Sequence, residues 1–434
     1  MRLPASSIAT VTGGSLSGPD VTVDGATIDS RQVRPGQLFV ALRGARDGHD
    51  FVDAAMKAGA GAALVDTPSS SATCVVVPDT FVALTALATA ARDRLPAQLI
   101  GVTGSVGKTS TKDLLAAALG RRWRVSASPM SFNNELGVPL TVLETPEDTE
   151  VVVVEMGARG RGHIAALCAV ARPTVGVVTT VGLSHAEFFG TLDDVVEAKG
   201  ELVAALPADG TAVLNADMAL VAGMATRTSA RVLTFGLTMG DVRAEHVTLD
   251  DDLRPAFRLR SPWGDADVAL AVRGHHQVGN ALAAAAAALA CDTPVEQIAA
   301  GLGDARLSPW RMQLERSPSG ALVLNDTYNA NPLSVEAALR ALAELPAERR
   351  TAVLGIMAEL GDVGPSEHAR LGALARDLGI RLIAVAAPAY GGEPAADPAE
   401  ALDRLGPIGP GDAVLVKGSR AAGLESVAGT LAAS

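Results

Sequence analysis

Gly104, Ser105, Gly107, Lys108, Thr109 and Ser110 fall within the run Gly101-Val102-Thr103-Gly104-Ser105-Val106-Gly107-Lys108-Thr109-Ser110. Apolar Leu99-Ile100 leads into it and a helix-forming stretch, residues 112–119, leads out. Strand, glycine loop and helix in this order form a phosphate cradle. Glycines let backbone N–H groups curl around phosphate oxygens, and the helix N-terminus adds the positive end of its dipole. Lys108 is placed to reach the β- and γ-phosphates of ATP, and the Thr109 hydroxyl to ligate Mg²⁺. The strict pattern asks for glycine at position 102, where Val102 stands.

Other candidates follow apolar runs that read as strands. Glu155 comes directly after Val151-Val152-Val153-Val154, at the strand end where open α/β sheets bind ligands. It is either a magnesium-facing carboxylate or a solvated strand end. His185 follows the strand-like residues 175–179 in the same manner, as a metal ligand or a structural histidine. Lys199 shares a helical stripe with Leu192, Val195, Val196, Leu202 and Val203. Either it snorkels to water from the edge of that stripe, or it is a buried functional lysine open to chemical modification. Arg311, Asp326, Tyr328, Asn329 and Asn331 cluster at the start of a later unit, where an aromatic ring and amides suit adenine and Asp326 suits a ribose hydroxyl. Capping of the next helix is the alternative. Near the N-terminus, Ser30 and Arg31 lie in one polar turn and His49 in another, and as residues alone both read as ordinary loops.

The elements that must position these residues alternate between strand and helix, which gives an α/β class. Residues 1–96 read as a small α/β domain with strands at 21–28, 37–42, 62–65 and 74–77 and helices at 51–58 and 82–94. Residues 97–306 read as a central P-loop, ATPase-like domain with a largely parallel sheet. Its strands are expected at 151–154, 175–179, 211–214 and 231–235, its antiparallel extension at 241–272, and its helices at 278–290 and 294–302. Residues 307–434 read as a doubly wound, Rossmann-like domain with strands at 321–324, 351–354, 382–385 and 413–416 and helices at 334–344, 366–378 and 421–431.

Composition narrows the function classes. Of 434 residues 48% are hydrophobic and 19% charged, enough to bury substantial cores, and the 3% aromatic content makes those cores Ala, Val and Leu. A net charge of −12 argues against nucleic acid or an anionic membrane as partner. Cys74, Cys168 and Cys291 show no metal-ligand spacing and read as core residues of a reducing compartment. The N-terminus lacks the apolar stretch of a signal peptide, and the apolar run at 281–290 is too short to span a bilayer. A cytoplasmic monomer without membrane insertion is the expectation.

Taken together, the motifs resemble those of the Mur ligase family along essentially the whole chain. Thr103-Gly104-Ser105-Val106-Gly107-Lys108-Thr109 is the family form of the phosphate loop, which accounts for Val102. Ser131-Phe132-Asn133-Asn134-Glu135-Leu136-Gly137 and Asp326-Thr327-Tyr328-Asn329-Ala330-Asn331-Pro332 resemble segments of the dipeptide-adding branch. The resemblance implies an ADP-forming ligase that uses ATP and Mg²⁺ to join D-alanyl-D-alanine to UDP-N-acetylmuramoyl-tripeptide through an acyl phosphate. It further implies that Glu155, His185 and Thr109 serve Mg²⁺, that Lys199 is carbamoylated and joins them, and that Lys108 serves catalysis with Lys199, His185 and Glu155. Asn280, Arg311, Asp326, Tyr328 and Asn329 would contact ATP. Ser30, Arg31 and His49 would bind the uridine nucleotide, and Asn133, Asn134, Asn331 and Lys417 the remaining substrate groups. Gln277, Trp310 and Ile356 depart from the residues usual in the family, where Asn, Gly and a polar residue are frequent.

Overall fold

The computed structural model describes residues 1–69, 72–182 and 186–433, so His185 lies outside the described residues. The chain forms two compact units. One comprises Met1–Gly101, Trp123–Met156 and Ala165–Thr174, the other Val102–Arg122, Gly157–Ile164 and Val175–Ser434.

In the first unit a five-stranded sheet runs in the spatial order Ser15–Ser17, Cys74–Val76, Ala62–Val65, Leu38–Val40, Ala26–Thr27. All neighbours are parallel except the pair formed by Ser15–Ser17 and Cys74–Val76. The two-residue period of a strand sends Leu38, Val40 and Leu64 into a core with Leu84, Leu87 and Leu140, and Phe39, Ala63 and Val65 into another with Val52 and Ala55. Burial on both faces is why these strands read as unbroken apolar runs. The expected strand at 21–28 is broken into Thr22–Asp24 and Ala26–Thr27. Gly25 between them has φ 79°, and a Cβ there would strike the Glu144 carboxylate. That carboxylate accepts from Ala26 N at 2.6 Å and from Gln37 Nε2 at 2.9 Å, fixing the turn. The same unit holds strands Val125–Ala127 and Val151–Glu155, paired in parallel, and helix Gly137–Glu144, which the sequence did not reveal.

In the second unit strands Val175–Val178, Thr211–Asn215 and Arg231–Gly236 are parallel neighbours. Strands Val242–Leu249, Pro255–Ser261 and Gly264–Ala269 then continue as antiparallel pairs, the expected extension. Helix Lys108–Leu119 packs against Gln277–Leu289 and Val295–Asp304. Ala281 and Ala283–Ala288 are all buried, and a Cβ on Gly301 would meet the backbone of Ala117 and Ala118. Small side chains are what let these helices approach.

A six-stranded sheet follows in the order Gln313–Arg316, Leu322–Asn325, Asp412–Lys417, Arg349–Gly355, Arg381–Val385, Glu393–Ala395, parallel except at the first pair. Helix Gly364–Asp377, after Arg349–Gly355, packs Leu371 and Ala375 on one face. Helix Glu425–Ala433, after the adjacent Asp412–Lys417, packs Val427 and Leu431 on the other. Neighbouring strands whose helices leave to opposite faces open a crevice at their carboxyl ends. The helix expected at 421–431 begins only at Glu425, because Gly423 at φ 64° turns the chain first. No helix among the described residues is long and apolar enough to cross a membrane.

Candidate active site

The phosphate loop is built by its neighbours as much as by its own glycines. Ser105 N donates to Thr180 O at 2.8 Å and Val106 N to Thr180 Oγ1 at 3.0 Å. Thr179 Oγ1 donates to Val106 O at 2.6 Å, and Ser105 Oγ to Gly182 O at 2.8 Å. Gly104, at φ 150°, lies so close to Thr179 that a Cβ would overlap its hydroxyl, and Gly107, at φ 83°, lies as close to the Asn280 amide. Neither position admits another residue. Val102, by contrast, is a buried strand residue, so a branched apolar side chain fills core there without touching the loop. Thr179 and Thr180 were not singled out from sequence, because their role depends on strand neighbours far away in the chain.

Lys108 begins the helix, and its Nζ donates to Gly104 O at 2.7 Å and to Ser105 O at 3.4 Å. Arg311 Nη2 donates to the Thr109 hydroxyl at 2.8 Å, while its guanidinium lies 4.2 Å from the centre of the Tyr328 ring. Arg311 Nε is buried with no hydrogen-bond partner among the described residues, an orphaned donor beside a phosphate loop. Ser308 donates through N and Oγ to Asp113 Oδ2 at 2.7 and 2.8 Å, anchoring the Arg311 segment to the loop's helix. Trp310 adopts φ 62°, a conformation that glycine takes without strain, and its ring lies under the Arg420 guanidinium at 4.3 Å. That stacking accompanies a bulky residue where the family often has glycine.

Asn280 Nδ2 donates to Gln277 Oε1 at 2.8 Å, and Thr111 Oγ1 donates to Asn280 Oδ1 at 3.4 Å. Gln277, the departure noted above, is buried and holds Asn280 against Gly107.

Lys199 is 1% exposed on helix Leu192–Ala204, which removes the snorkelling alternative. The Phe189 ring lies 5.9 Å from its Nζ. Burial first, then the Lys108 charge, lowers the lysine to about 7, with Glu201 acting in the opposite sense.

The Asp326 segment is tied down tightly. Asp326 Oδ1 accepts from Met312 N at 3.1 Å, and Oδ2 from Lys417 Nζ at 2.5 Å. Lys417, 2% exposed, also donates to Asn329 O at 2.8 Å and Asp326 O at 3.4 Å. The Asn329 side chain accepts from Ala330 N at 2.9 Å. Asn331 caps helix Pro332–Glu344, accepting from Ser334 N at 3.0 Å while Ser334 Oγ accepts from Asn331 N. The capping alternative therefore describes the Asn331 carbonyl oxygen. His276 is pushed down to about 4 by burial, against the nearby Asp326 carboxylate.

In the first unit Glu155 is 1% exposed, and Asn133 Nδ2 donates to its Oε1 at 2.7 Å. Ser128 Oγ accepts from Glu155 N at 3.2 Å. Glu155 is thus a held carboxylate and not a solvated strand end. Asn134 Oδ1 accepts from Gly137 N at 2.9 Å at the start of helix Gly137–Glu144. Arg31 is clamped by Asp29, its Nε and Nη2 donating at 2.9 and 2.8 Å, and this holds the Asp29 carboxyl down at about 2. Ser30 sits half-buried in the same turn. His49 Nδ1 donates to Asp47 Oδ1 at 2.6 Å and its Nε2 accepts from Asp66 N at 3.1 Å, so both ring nitrogens brace the turn.

Among the described residues no group of three His, Cys, Asp or Glu forms a metal cage. The Thr109 hydroxyl is nevertheless an oxygen donor of the kind that Mg²⁺ takes, since that ion uses few protein ligands and completes its shell with phosphate oxygens and water. Cys74, Cys168 and Cys291 are all buried.

Comparison with known proteins bears on the whole chain. Residues 22–99 match the Mur ligase family catalytic domain, 102–288 the Mur ligase middle domain, and 310–420 the Mur ligase glutamate ligase domain. The chain is 42% identical to UDP-N-acetylmuramoyl-tripeptide–D-alanyl-D-alanine ligase of Mycobacterium tuberculosis, over 100% of this chain and 98% of the relative. A crystal structure of MurF from Acinetobacter baumannii superposes with a TM-score of 0.90 at 30% identity, covering 100% of this chain and 99% of that one. The MurF ligase of Thermotoga maritima in complex with ADP gives 0.83 at 29% identity, over 94% and 97%. Matched by three Mur ligase family models and 42% identical along its whole extent to a ligase of that family, the chain belongs to the Mur ligase family.

Proposed function

We propose that the protein is an ATP-dependent, ADP-forming ligase that adds D-alanyl-D-alanine to UDP-N-acetylmuramoyl-tripeptide in peptidoglycan precursor synthesis. The observation that carries this reading is the 42% identity, end to end, to a ligase of that name. ATP transfers its γ-phosphoryl group to the terminal carboxylate of the tripeptide, giving an acyl phosphate and ADP. The dipeptide amine attacks the acyl carbon, loses a proton, and phosphate leaves as the amide forms.

The residues divide the work by charge and position. Backbone N–H groups of Gly104 and Gly107, with Ser105, Lys108, Thr109 and Ser110, cradle the phosphates, and Lys108 neutralises charge that grows on them. Arg311 turns its guanidinium to the same phosphates, supported by the orphaned Nε beside the loop. Asn280, Asp326, Tyr328 and Asn329 frame the nucleoside. Ser30, Arg31 and His49 take the uridine nucleotide, while Asn133, Asn134, Asn331 and Lys417 position the peptide groups, Lys417 through the Asp326 segment it holds. Thr109, Glu155 and His185 are the residues that would hold Mg²⁺, which would supply charge neutralisation at the phosphates. The neutral amine of Lys199 would add CO₂ and release a proton, giving a carbamate that would serve Mg²⁺ as an anion where an ammonium would repel the cation. Residues 1–96, 97–306 and 307–434 serve as UDP-substrate, ATP and acceptor domains of a cytoplasmic monomer.

The test is coupled ADP release from the purified enzyme with defined UDP-muramoyl-tripeptides. Turnover should require both the tripeptide and D-alanyl-D-alanine. Equal or faster product formation with D-alanine or glutamate would move the chain to another branch of the family.

A further inference from the structure

The loop leaving strand Arg349–Gly355 has its backbone held at four successive residues. Tyr390 Oη donates to Gly355 O at 3.3 Å and Ser419 N to Ile356 O at 3.0 Å. Met357 N donates to His368 Nε2 at 3.0 Å, and Ala358 N to Ser419 Oγ at 2.9 Å. Because Nε2 accepts, the imidazole proton sits on Nδ1, which donates to Gly364 O at 2.6 Å. The ring is buried and meets Tyr390 edge-on, with centroids 4.6 Å apart and planes at 69°.

This loop stands at the carboxyl end of one of the two strands that flank the crevice of the six-stranded sheet, and Ser419 comes from the end of the other. Met357 is buried, so its N–H has no water to turn to if His368 is lost. The consequence of the clamp is directional: Met357 packs inward while Ile356 remains 41% exposed. Further along, Glu359 takes φ 63°, and its carbonyl accepts from Glu187 N at 3.1 Å. A loop held this firmly presents fixed side chains to whatever occupies the crevice.

We propose that His368 is a positioning residue for the amine acceptor. Its Nε2 fixes the Met357 amide and thereby the presentation of Ile356 and Ala358 at the crevice. The claim rests on the reading above that the third domain receives the dipeptide.

Full-length enzyme carrying His368→Phe keeps a ring against Tyr390 but has no acceptor for the Met357 amide. His368→Gln restores an acceptor oxygen near the Nε2 position. The Phe variant should raise the KM for D-alanyl-D-alanine about tenfold, leaving those for ATP and the UDP-substrate within about twofold, and the Gln variant should recover most of the loss. Amide exchange at Met357 should quicken in the Phe variant and slow again in the Gln variant. Equal behaviour of the two variants, a joint rise of all three KM values, or unchanged exchange at Met357 would overturn the proposal. If the Phe variant does not fold, Ser419→Ala frees the adjacent Ala358 amide, and a KM change not selective for the dipeptide would count against the loop's role. Should the dipeptide prove not to be the acceptor, the exchange contrast still decides whether His368 holds the loop.

Discussion

Two buried lysines in the second unit have opposite surroundings. Lys417 ends a sheet strand and donates to the Asp326 carboxylate and to the carbonyls of Asp326 and Asn329, one acceptor for each ammonium proton. Lys199 lies on a helix with the Phe189 ring 5.9 Å from its Nζ, Lys108 and Glu201 act on it in opposite senses, and burial lowers it to about 7. The first arrangement uses a cation as a cross-link between a strand end and the segment from Asp326 to Asn329. The second keeps an amine available for reaction. Burial alone does not say what a lysine is for; the oxygens within reach of it do.

The largest effect that would sharpen this contrast is on turnover. Lys199→Ala should lower kcat by about 10²–10³-fold, the range seen when a charge-positioning group is lost. Acetate should restore part of it by standing in for the carbamate proposed at Lys199. Full activity without acetate would erase the distinction between the two lysines.

Next in size is stability. Lys417→Met leaves the half-buried Asp326 carboxylate without its cation and should cost about 3 kcal/mol, read as a lower urea midpoint. Lys199→Met removes an ammonium that burial disfavours and should leave the midpoint unchanged or higher. Equal losses in the two variants would break the comparison.

A smaller effect separates them by pH. In unmodified protein the folded Lys199 sheds its proton near 7 and the unfolded one near 10.5. Between those values the unfolded state binds more protons, so the Lys199 contribution to stability rises with pH across that window. Urea titrations without CO₂ should show this rise in wild type and its loss in Lys199→Met; a slope that survives the substitution would assign it elsewhere.

The smallest effect concerns the first unit, where Arg31 is already paired within its own turn. Arg31 is 79% exposed and clamped to Asp29, so Arg31→Ala should raise the KM for the UDP-substrate several-fold and not that for ATP. The Asp29 carboxyl should then titrate closer to its ordinary value, because the Arg31 hydrogen bond is the main cause of its depression. A change confined to ATP would remove Arg31 from the nucleotide turn.

What the sequence determined by itself was whatever one short segment carries. The phosphate loop is legible because the cradle, its lysine and its hydroxyl are contiguous, and the strands at 62–65, 151–154 and 413–416 because two-sided burial leaves apolar runs. Short elements with no such run escaped notice: helices Ala5–Thr12 and Pro398–Leu405, and edge strand Glu393–Ala395 with its proline. Tertiary structure decided what depends on partners distant in the chain. Whether Lys199 snorkels is set by Phe189 and the packing around its helix, and whether Asn331 caps is set by the backbone at Ser334. That Gly104 must be glycine is set by Thr179, and that His49 braces a turn is set by Asp66. Residue type states which hydrogen bonds and charges a side chain can offer; only the fold determines which atoms stand close enough to take them.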